Sequence, residues 1–230
     1  NLDGFKLVIA APHLIDAQIA GELIRFVAAG GHLVLGVRSG FKNQHNALWQ
    51  QRQPALLQDL AGVHVEEYYA LRDPIPVTLS TSGSGKSERA RASKQPAGAS
   101  SVWAEWLIPH EGTHVLATYG ESNGYLDGQA AVTMRQHENG GRVYTFGAWL
   151  DAVTQNVLMA RIVNDAGVTP ELPGLPAGVH VMRRGEAYIL INDAEPKTIT
   201  LPWKAANVLS GKAGKTLKLG KWDVAVGRKA

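Results

Sequence analysis

Cysteine is absent from all 230 residues, which removes disulfides, thiolate metal sites and a cysteine nucleophile at once and suits a reducing cytoplasm. No apolar run approaches the roughly 20 residues of a membrane helix, and Asn1-Leu2-Asp3-Gly4 lacks the charged and apolar regions of a signal peptide. Strong charge of one sign is also missing. The 23 Lys and Arg against 20 Asp and Glu leave only +3, and the basic residues are scattered, so neither nucleic acid nor membrane is an expected partner. There is no initiator methionine, and the chain runs directly into a strand pattern, which suggests a segment of a longer polypeptide.

What is present describes an ordinary globular chain, 45% hydrophobic and 19% charged, long enough for one large domain or one medium and one small. Phe5 to Ala11 is a near-continuous apolar run ended by Pro12, the pattern of a strand covered on both faces in a parallel sheet. Asp16 can cap a helix whose apolar stripe is Ile19, Leu23, Phe26 and Val27, stopped by Gly30-Gly31. Leu33-Val34-Leu35 supplies a parallel neighbour, completing a right-handed βαβ unit. A second helix is expected from Pro54 to Leu60, then a strand at Val63 to Tyr68. In such sheets ligands collect beyond the carboxyl ends of strands, which draws attention to Val37-Arg38-Ser39-Gly40.

Thr81 to Ser101 is rich in Ser, Gly, Lys and Arg, too polar to bury a core, and reads as a mobile loop. Strands are expected at Val102–Ile108, His114–Tyr119, Ala130–Gln136 and Arg142–Phe146, with Asn139-Gly140 as a hairpin signal. Asp151 opens a last helix with Val153, Val157, Leu158 and Ile162 on one face, closed at Gly167. Pro170, Pro173 and Pro176 then mark a linker, and six short strand patterns follow, from Gly178–Met182 to Asp223–Val226. The expected domains are 1–167 and 168–230, the second a small antiparallel β-sandwich.

Four motifs invite chemistry and fail its requirements. His110-Glu111-Gly112-Thr113-His114 matches H-E-x-x-H, but zinc chelation by that pattern requires a helix, and Gly112-Thr113 sits in a turn between two strand patterns. Gly83-Ser84-Gly85-Lys86-Ser87 resembles a phosphate loop but has Ser80 where the first glycine belongs. Ser39 has Val37 and Phe41 where a nucleophile elbow needs glycines. Glu66-Glu67 and Asp73 offer carboxylates, but neighbours on a strand point to opposite faces and cannot flank one bond at the about 5 Å of a retaining glycosidase, so surface charges are expected. The six tryptophans, Trp49, Trp103, Trp106, Trp149, Trp203 and Trp222, suit cores and interfaces before ligand platforms. Lys212, Lys215, Lys218 and Lys221 read as a solvated rim.

The order Leu2-Asp3-Gly4-Phe5-Lys6-Leu7-Val8-Ile9-Ala10-Ala11-Pro12, Phe26 to Leu35 and Arg38-Ser39-Gly40 resembles the trimerisation domain of glycoside hydrolase family 42 β-galactosidases. The likeness continues through Gly62 to Tyr68, Gly140 to Tyr144 and Ala166-Gly167-Val168. It ends in Gly178 to Arg184 and Tyr188 to Asn192, which are similar to the small C-terminal β domain of the same enzymes. The resemblance implies a glutamine-amidotransferase-like, flavodoxin- or Rossmann-like three-layer α/β domain followed by the β-sandwich. It implies a homotrimeric, cytoplasmic parent that hydrolyses terminal β-D-galactosides with two glutamates on a separate N-terminal barrel. It therefore implies no catalytic residue, no metal and no cofactor in this chain. Amidotransferase relatives carry a cysteine near Val37-Arg38, where this sequence has none. The Arg38, Ser39, Gly40, Phe41, Asn46 and Trp49 positions are the candidates for subunit contact. Where acidic residues are expected after Arg-Ser-Gly, the chain has Lys42, Asn43, Gln44 and His45. A free-standing sugar-binding or regulatory module is the alternative reading.

Overall fold

The computed structural model describes residues 1–80, 98–122, 124–208, 211 and 213–229. It divides into two compact units, Asn1–Val168 and Thr169–Ala230. In the first, the elements run β1 (Leu7–Ala10), α1 (Ala17–Ala28), β2 (His32–Leu35), a 3-10 turn (Ala55–Leu57), α2 (Gln58–Ala61), β3 (Val63–Ala70), β4 (Ile75–Leu79), β5 (Gly98–Pro109), β6 (Thr113–Tyr119), β7 (Ala130–Gln136), β8 (Arg142–Phe146), β9 (Ala148–Leu150) and α3 (Ala152–Asp165). The result is a mixed, sheet-rich domain with few helices.

One nine-stranded sheet organises this unit, in the order β1-β2-β8-β7-β6-β4-β5-β3, with β9 paired to β5. Among the described residues only β1, β2 and β8 are parallel, in register Val8–Leu33 and Leu33–Val143. The remaining pairs are antiparallel. Two cores lie in this unit. Val8, Ala10, Leu33 and Leu35 join Leu23, Phe26 and Val27 of α1 in one. Val34, Tyr144 and Phe146 join Leu158 and Ile162 of α3 in the other.

The helices begin where the sequence places them, but their buried stripes are displaced. Asp16 caps α1 by accepting from the Ile19 amide at 2.8 Å, yet Ile19 is exposed and Ala20 takes its place beside Leu23, Phe26 and Val27. Gly31 follows α1 closely, and a Cβ there would collide with the Phe26 ring. Asp151 caps α3 through the Val153 and Thr154 amides, both at 3.0 Å. The buried stripe of α3 is Thr154, Leu158 and Ile162, while Val153 is exposed.

Several expectations are corrected. β1 is not covered on both faces: it is the sheet edge, and Ile9 is 64% exposed because α1 shields only the face carrying Val8 and Ala10. The second helix shrinks to the 3-10 turn plus four residues of α2. β3, which follows it, lies at the opposite end of the sheet path from β1, antiparallel to β5. β5 already begins at Gly98, so the polar stretch expected to reach Ser101 ends earlier, and residues 81–97, including the phosphate-loop look-alike, lie outside the described residues. Within β4, Pro76 interrupts the strand signal, but Ile75, Val77 and Leu79 alternate into the core around it.

The second unit comprises β10 (Val179–Arg184), β11 (Ala187–Asn192), β12 (Lys197–Asn207), β13 (Ala213–Leu219) and β14 (Val224–Lys229). They hydrogen-bond into one antiparallel sheet, order β10-β11-β14-β12-β13, in place of the two stacked sheets of a sandwich. The reason is β12. The pattern Thr198–Leu201 predicts a short strand, but β12 runs on through a bulge between Thr200 and Ala205 as far as Asn207, pairing with β13 and then also with β14. Leu190, Ile199, Leu201, Leu219 and Ala225 fill the core of this unit. Lys215, Lys218 and Lys221 are exposed, while Lys212 lies outside the described residues. Among the described residues no helix is long and apolar enough to cross a membrane.

Candidate functional site

The strand-end loop after β2 turns sharply at Arg38, whose φ of 62° puts a non-glycine residue in the left-handed region, a conformation that costs roughly 1–3 kcal/mol. Two contacts hold it there. Its amide donates to Glu105 Oε1 at 2.7 Å, and its guanidinium lies over the rings of Phe41 and Trp103 at 4.7 and 4.9 Å. Among the described residues Arg38 Nε is buried with no hydrogen-bond partner, consistent with a cation held by aromatic faces. The aromatic surface is continuous, because Phe41 stacks on His13 at 5.3 Å and meets Tyr68 edge-on, while Tyr68 stacks on Trp103 at 5.1 Å.

Behind this platform Glu105 is only 2% exposed. Its Oε1 also accepts from Trp103 Nε1 at 3.1 Å. Burial pushes its carboxyl up to about 7, against the opposing pull of the Arg38 amide, Trp103 and the Arg38 charge. The buried Tyr119 hydroxyl accepts from the Glu105 amide at 3.2 Å and donates to the Gly147 carbonyl at 2.8 Å, and burial raises its pKa far above the phenol range. His13 is lowered by burial first and by the Arg38 charge second.

The six sequence candidates separate. Arg38 and Phe41 meet in the platform. Ser39 is buried and its hydroxyl donates to the Gly36 carbonyl at 2.7 Å, so it faces inward and is not a surface contact. Gly40 is buried with φ 64°, and a Cβ there would run into the Pro54 carbonyl. Asn46 sits on the exposed loop, accepting from Lys42 Nζ at 2.9 Å. Trp49 packs against the α1-side core, its Nε1 buried and without a hydrogen-bond partner among the described residues. Trp49 and Phe41 share a hollow of about 170 Å³ with Leu48, Arg52, Glu66 and Tyr68. A second, more apolar hollow of about 240 Å³ opens beside β1, lined by Ile9, Val37, Phe146, Trp149 and Met159; Ile9 is 64% and Trp149 56% exposed.

The zincin look-alike is a hairpin, as its sequence context requires. Glu111-Gly112 turn between β5 and β6, with the Thr113 amide donating to the His110 carbonyl at 3.0 Å. Glu66 pairs with Arg52 at 2.8 Å at the surface. Sequence reasoning missed Glu105 and His13 as members of the corner. A carboxylate inside the apolar run Trp103-Ala104-Glu105-Trp106 was the available signal for the first.

A family model described as the β-galactosidase trimerisation domain matches residues 1–169. β-Galactosidase Bga of Halorubrum lacusprofundi is 30% identical over 186 residues, covering 80% of this chain and 26% of that protein. BgaA of Clostridium cellulovorans is 32% identical over 182 residues, covering 79% and 25%. This chain thus spans about a quarter of the length of these curated relatives. Among solved structures, the H. lacusprofundi β-galactosidase superposes with TM-score 0.80 at 26% identity, covering 99% of this chain and 32% of that one. The β-galactosidase of Bacillus circulans sp. alkalophilus shares the fold with TM-score 0.82 at 24% identity, covering 98% and 33%.

Proposed function

Because the chain belongs to the β-galactosidase trimerisation-domain family, we propose that its work is assembly: it joins the subunits of a homotrimeric β-galactosidase whose chemistry lies elsewhere in the parent polypeptide. The observation that carries this reading is the family match across residues 1–169. The parent is a retaining glycoside hydrolase acting on terminal β-D-galactosides, with its two catalytic glutamates on a barrel outside this chain. The absence of cysteine fits a cytoplasmic setting.

Subunit contact is assigned to the corner after β2, where Arg38, Phe41 and Trp49, flanked by Asn46 and shaped by Ser39 and Gly40, combine aromatic area with a cation. Arginine and aromatic residues are enriched in interface cores. The apolar hollow at Ile9 and Trp149 supports assembly independently, since contiguous exposed apolar surface marks association sites. The parallel trio β1, β2 and β8, with α1 and α3 on its two faces, is the remnant of an amidotransferase-like layer. Arg38 stands in the left-handed corner where those relatives place a cysteine. The unit 1–167 is the assembly domain, and 168–230 is the C-terminal β domain of the same enzyme.

Two measurements on the pure chain test this. Hydrolysis of a nitrophenyl galactoside should be undetectable, and sedimentation over a range of concentrations should show a trimer. Turnover would overturn the division of labour, and monomer at every concentration would remove a self-sufficient interface. The hollow formed by Phe41, Trp49 and Tyr68 with Arg52 and Glu66 favours one second reading, a sugar-binding module, because aromatic faces beside polar side chains suit saccharides. Saturable heat on titration with galactosides would select it.

A further inference from the structure

The turn between β7 and β8 carries an Asn-Gly step that the assembly reading does not use. Asn139 and Gly140 are both exposed. Gly140, at φ 88°, has open space where a Cβ would stand, so its backbone nitrogen is unshielded. In such a step that nitrogen can attack the asparagine side-chain amide, because the glycine has no side chain in the way. This reactivity is one reason asparagine counts as thermolabile.

The fold holds the reaction back. Asn139 Nδ2 donates to the Val27 carbonyl at 3.3 Å and to the Ala28 carbonyl, both in the last turn of α1, where carbonyls have no donor within the helix. Asn139 Oδ1 accepts from the Gly141 amide at 3.2 Å, and the Gly140 amide donates to the His137 carbonyl at 3.0 Å. The turn is pressed onto the helix end. A Cβ on Gly141 would strike the Val27 carbonyl, and one on Gly30 would stand 3.6 Å from the Asn139 carbonyl. Leaving group, electrophile and nucleophile are thus all engaged, and ring closure must give up these bonds. A groove of about 560 Å³ lined by Ala28, Leu60, His137 and Asn139 opens the site to water.

We propose that Asn139 is a latent deamidation site, kept as the amide while its turn is docked on α1 and converted when the two separate. Gly140 N bonds to Asn139 Cγ and gives its proton to solvent, the Cγ–Nδ2 bond breaks, and the amine takes up a proton and leaves as ammonia. Water then opens the succinimide at either carbonyl to give aspartate or isoaspartate, so one water is consumed and one ammonia released. The product cannot resume the place of the amide. An ionised carboxylate only accepts, and here it would face the Val27 and Ala28 carbonyls at the negative end of the α1 dipole. Deamidation therefore frees the end of α1 from the β7–β8 turn in one direction only.

The test ages the full chain at mildly alkaline pH and counts deamidation at Asn139 by peptide mapping, apart from the other Asn-Gly step, Asn123-Gly124. In native buffer the rate at Asn139 should be roughly tenfold or more below that of the same chain unfolded in urea at the same pH and temperature, since the reaction waits on a local opening. Equal rates would overturn the proposal. Urea denaturation of Asn139→Asp gives the second readout. The variant should be less stable than the wild type at neutral pH, and the deficit should narrow as pH falls below about 4, where a protonated carboxyl donates again. Asp59, Arg135, His137 and Glu138 line the same groove and are common to both proteins, so the difference isolates position 139. No deficit, or one independent of pH, would overturn the one-way release, and a variant that folds only in acid shows the expected sign. The rate comparison uses the wild type alone and decides whether or not the variant folds.

Discussion

The amide of Arg38 donates to Glu105 Oε1 at 2.7 Å, so a residue in the left-handed region is pinned by a carboxylate that burial holds near neutrality, at about 7 against an ordinary 4.5. Between those values the folded chain retains a proton that the unfolded chain has released. The contribution to stability is therefore full below about pH 4.5 and is lost as pH rises to about 7. Glu105→Gln keeps an acceptor for both donors and cannot ionise. Urea denaturation across this range should show the variant gaining on the wild type as pH rises, by a ceiling on the order of 3 kcal/mol. Parallel curves would refute the assignment.

Gly40 is constrained twice, by its φ of 64° and by the Pro54 carbonyl against its Cα. Gly40→Ala should cost about 2 kcal/mol or more, because the strained backbone and the clash add. Ser39→Ala, which removes only one hydroxyl donor to the Gly36 carbonyl, should cost about 1 kcal/mol. Thermal unfolding of the two variants side by side would separate corner geometry from simple loss of a hydrogen bond.

Asp151 closes two structures at once. It caps α3 and accepts from the Ala99 amide at 2.7 Å, at the start of β5. Backbone hydrogen bonds, that of Ala99 first, bring its carboxyl down to about 2. Its stabilisation is thus present above about pH 3.8 and is lost as pH falls towards about 2. Asp151→Ala should cost about 1–2 kcal/mol at pH 7 and show a shallower acid transition by circular dichroism. An unchanged acid transition would contradict the role.

Arg38 offers a test of the proposed assembly corner, with thermal unfolding of each variant separating lost packing from lost association. Arg38→Ala removes two cation–π contacts, worth about 0.5–2 kcal/mol each, and Arg38→Lys keeps the charge but not the planar stacking. In the full-length parent enzyme both should weaken the trimer in sedimentation, alanine more than lysine. A trimer of unaltered strength in the alanine variant would move the interface away from this corner.

The sequence was informative where local chemistry decides structure. Asp16 and Asp151 announced helix starts, Asn139-Gly140 joined β7 to β8, and Gly112 kept the H-E-x-x-H letters off a helix. It was silent where distant segments decide. Nothing local to Val63–Tyr68 says that this strand leaves the parallel trio to pair with β5. The exposure of Ile9 depends on β1 being an edge. The charged Glu105 stands out in its apolar run, but its partner does not, since Arg38 belongs to a segment that meets β5 only after the sheet has closed.

That closure has a consequence for biosynthesis. β8 is the strand that joins the first βαβ unit to the rest of the sheet, and it emerges late. Asn139, in the turn before it, donates to the Val27 carbonyl across 112 positions of chain. On a ribosome, β1, α1 and β2 must therefore wait with an unpaired inner edge until Phe146 has cleared the exit tunnel, which makes folding slow and dependent on protection. Nascent chains arrested before that point should remain sensitive to protease, and those arrested well beyond α3 should acquire resistance in a single step.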